Sequence, residues 1–226
     1  MLDRPRVTVP ETLPGTLAVF PLPGALLLPG GQLPLNIFEP RYLNMVEDAL
    51  APPRLIGMIQ PVAEKDERRI GDVDRLYGVG CAGRIVHFEE TGNGRYAIRL
   101  QGVARFRVAE ELPMTDGYRR VRPDFNDFIG DFAHDDGDTL AERDDLVRMI
   151  EAYFRQQGLS ADMEQIEKAP DDVLVTSLAM SCPFEPGEKQ ALLECTGVRE
   201  RGQLLARMFE MALLGGGMAP PSDLRQ

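Results

Sequence analysis

The feature that most constrains the fold is an alternation of apolar and polar side chains that runs from Tyr96 to Val108. The apolar residues fall on even positions, with Gly102 among them, and the odd positions carry mostly arginine and glutamine. Because successive side chains of a strand point to opposite faces, this pattern predicts one long strand with a buried and a solvated face. We expect Gly102 to mark a bend or bulge where the strand curls around a barrel corner.

Shorter apolar runs bounded by proline and glycine predict the other strands of a compact barrel. They are residues 17–20, 33–38, 54–60, 84–90 and 118–121. Residues 91–94, with the sequence TGNG, predict a hairpin turn before the long strand. One helix is expected among these strands, because Pro40 suits a first helical position and Pro52 and Pro53 end the pattern that follows it.

The remaining third of the chain has the spacing of amphipathic helices. A stripe from Leu146 to Phe154 stops before Gly158, and a second helix opens at Pro170 and stops at Pro183. A third is expected from Pro186, with Gly197 as its C-terminal glycine. The last helix spans 198–214, with four residues on one apolar face: Leu204, Leu205, Met208 and Met211.

Charge divides the chain at the same place. Residues 1–123 hold 16 basic and 15 acidic side chains, whereas residues 124–226 hold 9 and 21, which accounts for the net charge of −11. We therefore predict an α+β protein with a β-rich subdomain over 1–123 and an acidic connector over 124–139. A helical bundle over 140–214 and a flexible tail over 215–226 complete the prediction.

The sequence offers little that resembles an active site. It has no phosphate-binding loop and no GxSxG nucleophile motif. We therefore expect no catalytic residue, no metal site and no cofactor. Cys81, Cys182 and Cys195 lack CxxC spacing and are expected to be reduced and buried. His87 is interpreted as an ordinary sheet histidine and His134 as part of a solvated acidic linker.

The odd positions of the long strand leave one alternative open. Four arginines on one face could contact RNA phosphates: Arg95, Arg99, Arg105 and Arg107. The favoured interpretation is a solvated face whose arginines pair with acidic side chains, because Glu89 and Glu90 lie across the hairpin. RNA contact is disfavoured because aromatic residues are not interleaved on the basic side.

Three segments resemble, in order, the substrate-binding (N-terminal) domain of Lon proteases. Residues 17–50 contain a run of the form PL…PG…LPL.IFEPRY before the first helix. Residues 80–108 resemble the long hairpin of that family, and residues 173–213 resemble its C-terminal bundle with the EKQ.LLE signature. The resemblance covers roughly residues 14–214 and is specific in the order of its motifs.

The resemblance implies a PUA-like β pseudo-barrel with one inserted helix, followed by a helical bundle. It also implies a bacterial, non-catalytic module that binds unfolded or exposed protein segments. The sequence itself has no signal-peptide pattern and no apolar stretch of about 18 residues, which predicts a cytoplasmic protein that does not bind a membrane. ATPase and Ser–Lys protease domains follow this region in Lon proteases, so a chain that stops at Gln226 is expected to be a stand-alone member. An adaptor role with a separate ATP-dependent protease and a weak homodimer both stay open.

Within the IFEPRY motif two interpretations compete. In the favoured one, Ile37 and Tyr42 pack in the core while Glu39 and Arg41 brace the start of the helix. In the other, Phe38, Arg41 and Tyr42 form part of a peptide-contact surface.

Overall fold

The structure is a computed structural model that describes residues 13–62, 75–132, 139–140, 142–158 and 162–215. The chain divides into two compact units, Met1–His134 and Asp135–Gln226. Within the described ranges, no helix combines the length and apolar character needed to cross a membrane. His134, for which a solvated linker was predicted, lies outside the described residues.

The described residues of the first unit form six strands. These are β1 (Leu17–Pro21), β2 (Gln32–Ile37), β3 (Leu55–Ile59), β4 (Val79–Glu90), β5 (Tyr96–Thr115) and β6 (Tyr118–Asp124). They lie in the order β2-β5-β4-β3-β1-β6, and β5 also pairs with β6, so five of them close into a ring of hydrogen-bonded strands. Only β1 and β3 run parallel. This confirms the predicted pseudo-barrel.

Strand β5 closes the ring because it is long enough to have three neighbours. Its first part pairs with both β2 and β4, and its part beyond Arg107 pairs with β6. The predicted bulge is present, since Ala82 faces Ala104 but Gly83 faces Gly102, which leaves Val103 as the extra residue. Gly102 is required there, because a Cβ atom would lie 2.0 Å from the carbonyl oxygen of Leu28.

The prediction that the odd-numbered side chains of this strand are solvated is wrong for the middle of the strand. Gln101 and Arg105, both on odd positions, are buried, as are the even positions Leu100 and Phe106. The loop before β2 continues the main-chain pairing with β5, because the Gly102 amide donates to the Gly31 carbonyl and its carbonyl accepts from the Gly30 amide. A short 3-10 helix, Asn126–Phe132, packs against β5 and brings Asp131 onto Arg105.

Helix α1 (Pro40–Ala49) lies between β2 and β3 and confirms the predicted inserted helix. It begins with Pro40 at its first turn and buries Tyr42, Met45 and Val46. Leu43 and Leu50 are only half-buried.

The second unit contains five helices in its described part. They are α2 (Arg143–Gln157), α3 (Met163–Lys168), α4 (Asp171–Ser181), α5 (Pro186–Glu194) and α6 (Val198–Leu214). Helix α2 ends at Gly158, as predicted, with a left-handed φ of 66°. The prediction for Gly197 is wrong: this residue is the extended N-cap of α6, and Cys195 ends α5. Met211 is also misplaced, because its side chain is 71% exposed.

Candidate functional site

The turn from β2 into α1 places one aromatic side chain in solvent and the next in the core. Ile37 ends β2 with 1% of its surface exposed, whereas Phe38 is 55% exposed. Glu39 is extended, with φ −73° and ψ 132°, and Pro40 follows with the φ that a first helical turn requires. The proline therefore fixes where the helix begins and leaves Phe38 outside the packed interior.

Arg41 is held between a carboxylate and an aromatic ring. Its Nη2 and Nε atoms donate to Glu39 Oε2 at 2.8 and 3.0 Å, and its guanidinium lies 4.5 Å from the centre of the Tyr42 ring. The Glu39 side chain makes no cap and binds Arg41 instead, while its carbonyl accepts from the Tyr42 and Leu43 amides at the start of the helix. Roughly half of the Arg41 side chain remains accessible.

Tyr42 lies beneath the Arg41 side chain. Its side chain is buried, its ring centre is 4.2 Å from that of Phe20, and burial raises its pKa above the usual value. Of the three residues predicted to contact peptides, Phe38 and Arg41 are at the surface and Tyr42 supports Arg41 from below.

Arg95 joins this corner rather than a basic strand face. Its guanidinium lies 5.7 Å from the centre of the Phe38 ring. The pairing of Ile37 with Tyr96 places Phe38 and Arg95 side by side at the ends of β2 and β5. Sequence analysis assigned these two residues to competing hypotheses, because the strand pairing that joins them is not local in sequence.

Two of the arginines of β5, Arg105 and Arg107, form ion pairs with aspartates of the 3-10 helix. Arg99 is exposed. Arg105 is 4% exposed, and its Nε and Nη2 donate to the two oxygens of Asp131 at 2.9 and 2.7 Å. Arg107 pairs with Asp127 nearby. The hypothesis that Arg105 contacts RNA is therefore wrong, since a buried guanidinium with both carboxylate oxygens bound cannot reach a phosphate.

A cleft of about 230 Å³ lies elsewhere in the first unit and was missed by sequence analysis. Its walls come from the C-terminal half of α1, the turn at 51–54 and strands β1 and β6. The Tyr118 hydroxyl donates to Asp48 Oδ2 at 2.8 Å in this cleft. Burial and this hydrogen bond raise the pKa of Tyr118 to about 12.

Thiols and histidines form no cluster in the described part of the chain. Cys81, Cys182 and Cys195 are buried thiols that form no disulfide, and burial raises the pKa of Cys182 to about 12. His87 lies on β4 with its Nε2 3.6 Å from Glu89. Among the residues that the structure describes, no three His, Cys, Asp or Glu side chains are placed to hold a metal.

A closed ring of strands with one inserted helix, followed by a helical second unit, defines an α+β class of domain. The profile of the ATP-dependent protease La (LON) substrate-binding domain matches residues 16–210, and the chain belongs to this family.

Two relatives illustrate the similarity. Lon protease 2 of Myxococcus xanthus is 34% identical over 115 residues, which are 50% of this chain and 13% of that protein. Lon protease of Flavobacterium johnsoniae is 27% identical over 211 residues, which are 90% of this chain and 25% of that protein. The chain thus matches at most a quarter of either relative.

Two solved structures share the fold. A Lon N-terminal domain protein from Xanthomonas campestris superposes with a TM-score of 0.58 at 25% identity, covering 84% of this chain and 97% of that one. The N-terminal domain of a Mycobacterium avium complex Lon protease gives 0.61 at 14% identity, covering 86% and 98%. The second similarity establishes the fold alone.

Proposed function

We propose that this protein is a non-catalytic module that binds exposed apolar or extended segments of other proteins. The observation that carries the proposal is its membership of a substrate-binding domain family over residues 16–210. The absence of phosphate-loop and nucleophile motifs from the sequence supports a binding role rather than a chemical one.

The open edge of β2 is the first feature that supports a location for the binding site. Within the described residues this strand pairs only with β5, so its other edge is available to an extended segment. Main-chain pairing to an open strand edge provides affinity with little dependence on sequence, which suits a protein that recognises many partners. Pro34 removes one amide donor from β2, so in this proposal a bound segment pairs with the remaining main-chain groups of the strand.

The second support is the side chains at the end of that edge. Phe38 offers an exposed ring with the Arg95 guanidinium 5.7 Å from its centre, and the half-accessible Arg41 follows three residues later on the Tyr42 ring. An aromatic anchor with arginines around it is the composition typical of binding hot spots. In this proposal Phe38 and Arg41 contact the bound segment, and Tyr42 positions Arg41.

The test is fluorescence anisotropy with fluorescein-labelled unfolded casein. We expect saturable binding and a loss of about tenfold in affinity for Phe38→Ala, the effect of a single hot-spot side chain. Ile129→Ala is the matched control, because Ile129 is also exposed and lies in the same unit on the 3-10 helix. An absence of binding at high micromolar concentration, or equal losses for the two variants, would contradict the proposal.

An adaptor role follows if the bound segments are passed to a separate ATP-dependent protease in the cytoplasm. Capture from native lysate followed by mass spectrometry tests this extension. We expect protease subunits to be recovered together with partly unfolded proteins, and both should decrease when Phe38→Ala is the bait. Recovery of proteins without any protease would limit the function to binding.

A further inference from the structure

The cleft between α1 and β6 contains an arginine in a conformation that favours glycine. Arg54 has a φ of 62°, in the left-handed region where a side chain crowds the backbone. Its amide donates to the Ala51 carbonyl at 2.9 Å and its carbonyl accepts from the Ile85 amide at 2.9 Å. The backbone is thus held in this conformation from both sides, and glycine would fit it at lower cost.

The side chain of Arg54 carries a second anomaly. Its Nε atom is buried and has no hydrogen-bond partner in the part of the chain that the structure describes. A buried N–H without an acceptor is costly, so in a native protein it calls for an explanation such as a bound ion, water or ligand. Arg54 therefore combines a strained backbone, an unused donor and a place on the wall of a cleft.

The other residues that line the cleft indicate the charge and size of a ligand that it could bind. Arg120 brings a second guanidinium, whose Nε and Nη2 donate to the Pro113 carbonyl at 3.3 and 3.0 Å. The one carboxylate, Asp48, already accepts the Tyr118 hydroxyl. Apart from Thr16, the rest of the lining is apolar and includes Ala18 and Ala49, so the cleft combines an excess of positive charge with room for a short aliphatic group.

We propose that this cleft binds a carboxylate on a small aliphatic stem, with the Arg54 guanidinium as its main donor. The volume of about 230 Å³ corresponds to roughly eight water molecules, enough for a carboxylate and one or two small residues. If the proposed function holds, on which this identification of the source rests, the carboxylate is the free C-terminus of a bound protein. A free small carboxylic acid is the other source of the same chemistry.

The experiment compares three probes. They are a fluorescein-labelled peptide that ends in Ala-Ala with a free carboxylate, the same peptide with a C-terminal carboxamide, and N-acetylalanine. We expect the carboxylate peptide to bind at least tenfold more tightly than the carboxamide, and N-acetylalanine to compete with it.

Arg54→Gln and Arg54→Gly should both abolish this preference, whereas Arg122→Gln should keep it. Arg122 is the matched control because it lies on β6, is exposed and pairs with Glu110. Arg54→Gly should also unfold at an equal or higher denaturant concentration than the wild type, since it removes the positive-φ strain. Loss of binding in that variant therefore cannot come from unfolding.

Equal affinity for carboxylate and carboxamide, or a preference that survives Arg54→Gln, would overturn the inference. If unfolded casein still binds in that case, the proposed function stands without the carboxylate site. If N-acetylalanine binds through Arg54 while neither casein nor the peptides bind, the site stands with a free acid as its ligand and the proposed function falls.

Discussion

At the scale of single residues, the pair of Arg105 and Asp131 is the most consequential contact of the first unit. Both side chains are nearly inaccessible, and Asp131 accepts from the Arg105 backbone amide as well as from its guanidinium. The Arg105 guanidinium also lies 4.6 Å from the centre of the Phe128 ring. A buried guanidinium depends on such a partner, because an isolated charge in the interior is unfavourable by several kcal/mol.

Asp131→Ala should therefore lower the free energy of unfolding by about 3–5 kcal/mol, the cost of leaving a buried charge unpaired. Asp127→Ala is the matched control: it removes the exposed partner of Arg107 and should cost less than about 1 kcal/mol. Urea unfolding of the two variants measures the difference. Equal costs would contradict a buried, partner-dependent Arg105.

At the scale of elements, strand β5 depends on Gly102, where the loop before β2 lies against the strand. Gly102→Ala brings a Cβ atom to 2.0 Å from a backbone oxygen that no side-chain rotation can move. We expect a loss of about 1–3 kcal/mol in the free energy of unfolding, typical of overpacking, with displacement of the loop before β2. Gly187→Ala, in helix α5 with open space around it, should be neutral or stabilising. A neutral Gly102→Ala in urea unfolding would show that the loop does not press on β5.

Helix α1 is tied to the strands by two tyrosines. Tyr118 donates to Asp48, and Tyr96 donates to Glu47 at 2.6 Å. Burial and then its hydrogen bond raise the pKa of Tyr118 from 10 to about 12. Between these pH values the unfolded chain has lost this proton and the folded chain keeps it, so stability must fall as the pH rises from 10 to 12.

Tyr118→Phe should reduce this alkaline loss of stability, because phenylalanine has no proton to lose. Unfolding followed by circular dichroism at pH 9, 10, 11 and 12 measures it, and the curve of the variant should be flatter than that of the wild type above pH 10. Curves of the same steepness would show that Tyr118 titrates alike in the folded and unfolded states.

Local patterns in the sequence predicted most elements but not the environment of their side chains. The alternation in β5 and the proline at the start of α1 act over a few residues, so both elements were predicted. Arg105 has the same place in an alternating strand whether it is solvated or buried, and its partner lies 26 residues away. Helix α3 was missed because none of its six residues is buried and it has no apolar stripe.

The candidate site was predictable only in part for a related reason. The IFEPRY motif drew attention to Phe38 and Arg41, but the contact of Phe38 with Arg95 depends on the pairing of β2 with β5. The anomaly at Arg54 consists of a backbone angle and an unpaired atom, neither of which is encoded in a local residue pattern.

At the scale of the whole molecule, the charge break and the structural division fall at different residues. The charge pattern predicts a boundary at 123, with a connector after it, whereas Asn126–Phe132 folds against β5 within the first unit. Phe125 also belongs to the core of that unit. We therefore propose that an independently folding first part needs the residues up to 134.

Fragments 1–123 and 1–134 test this division. The longer one should unfold cooperatively in urea, and the shorter one should be unfolded or insoluble because it leaves Arg105 without Asp131. Arg105→Met in the shorter fragment should recover part of the stability by removing the unpaired charge. Equal free energies of unfolding for the two fragments would show that the charge pattern marks the true boundary.

The central claim is that this protein recognises unfolded protein segments along β2 and at the corner that follows it. Hydrogen–deuterium exchange with and without unfolded casein tests it most directly, because backbone amides report main-chain pairing. We predict protection confined to residues 32–41 and to the neighbouring end of β5, with exchange of α2 unchanged. Protection absent from β2, or located on the helices of the second unit, would contradict the account.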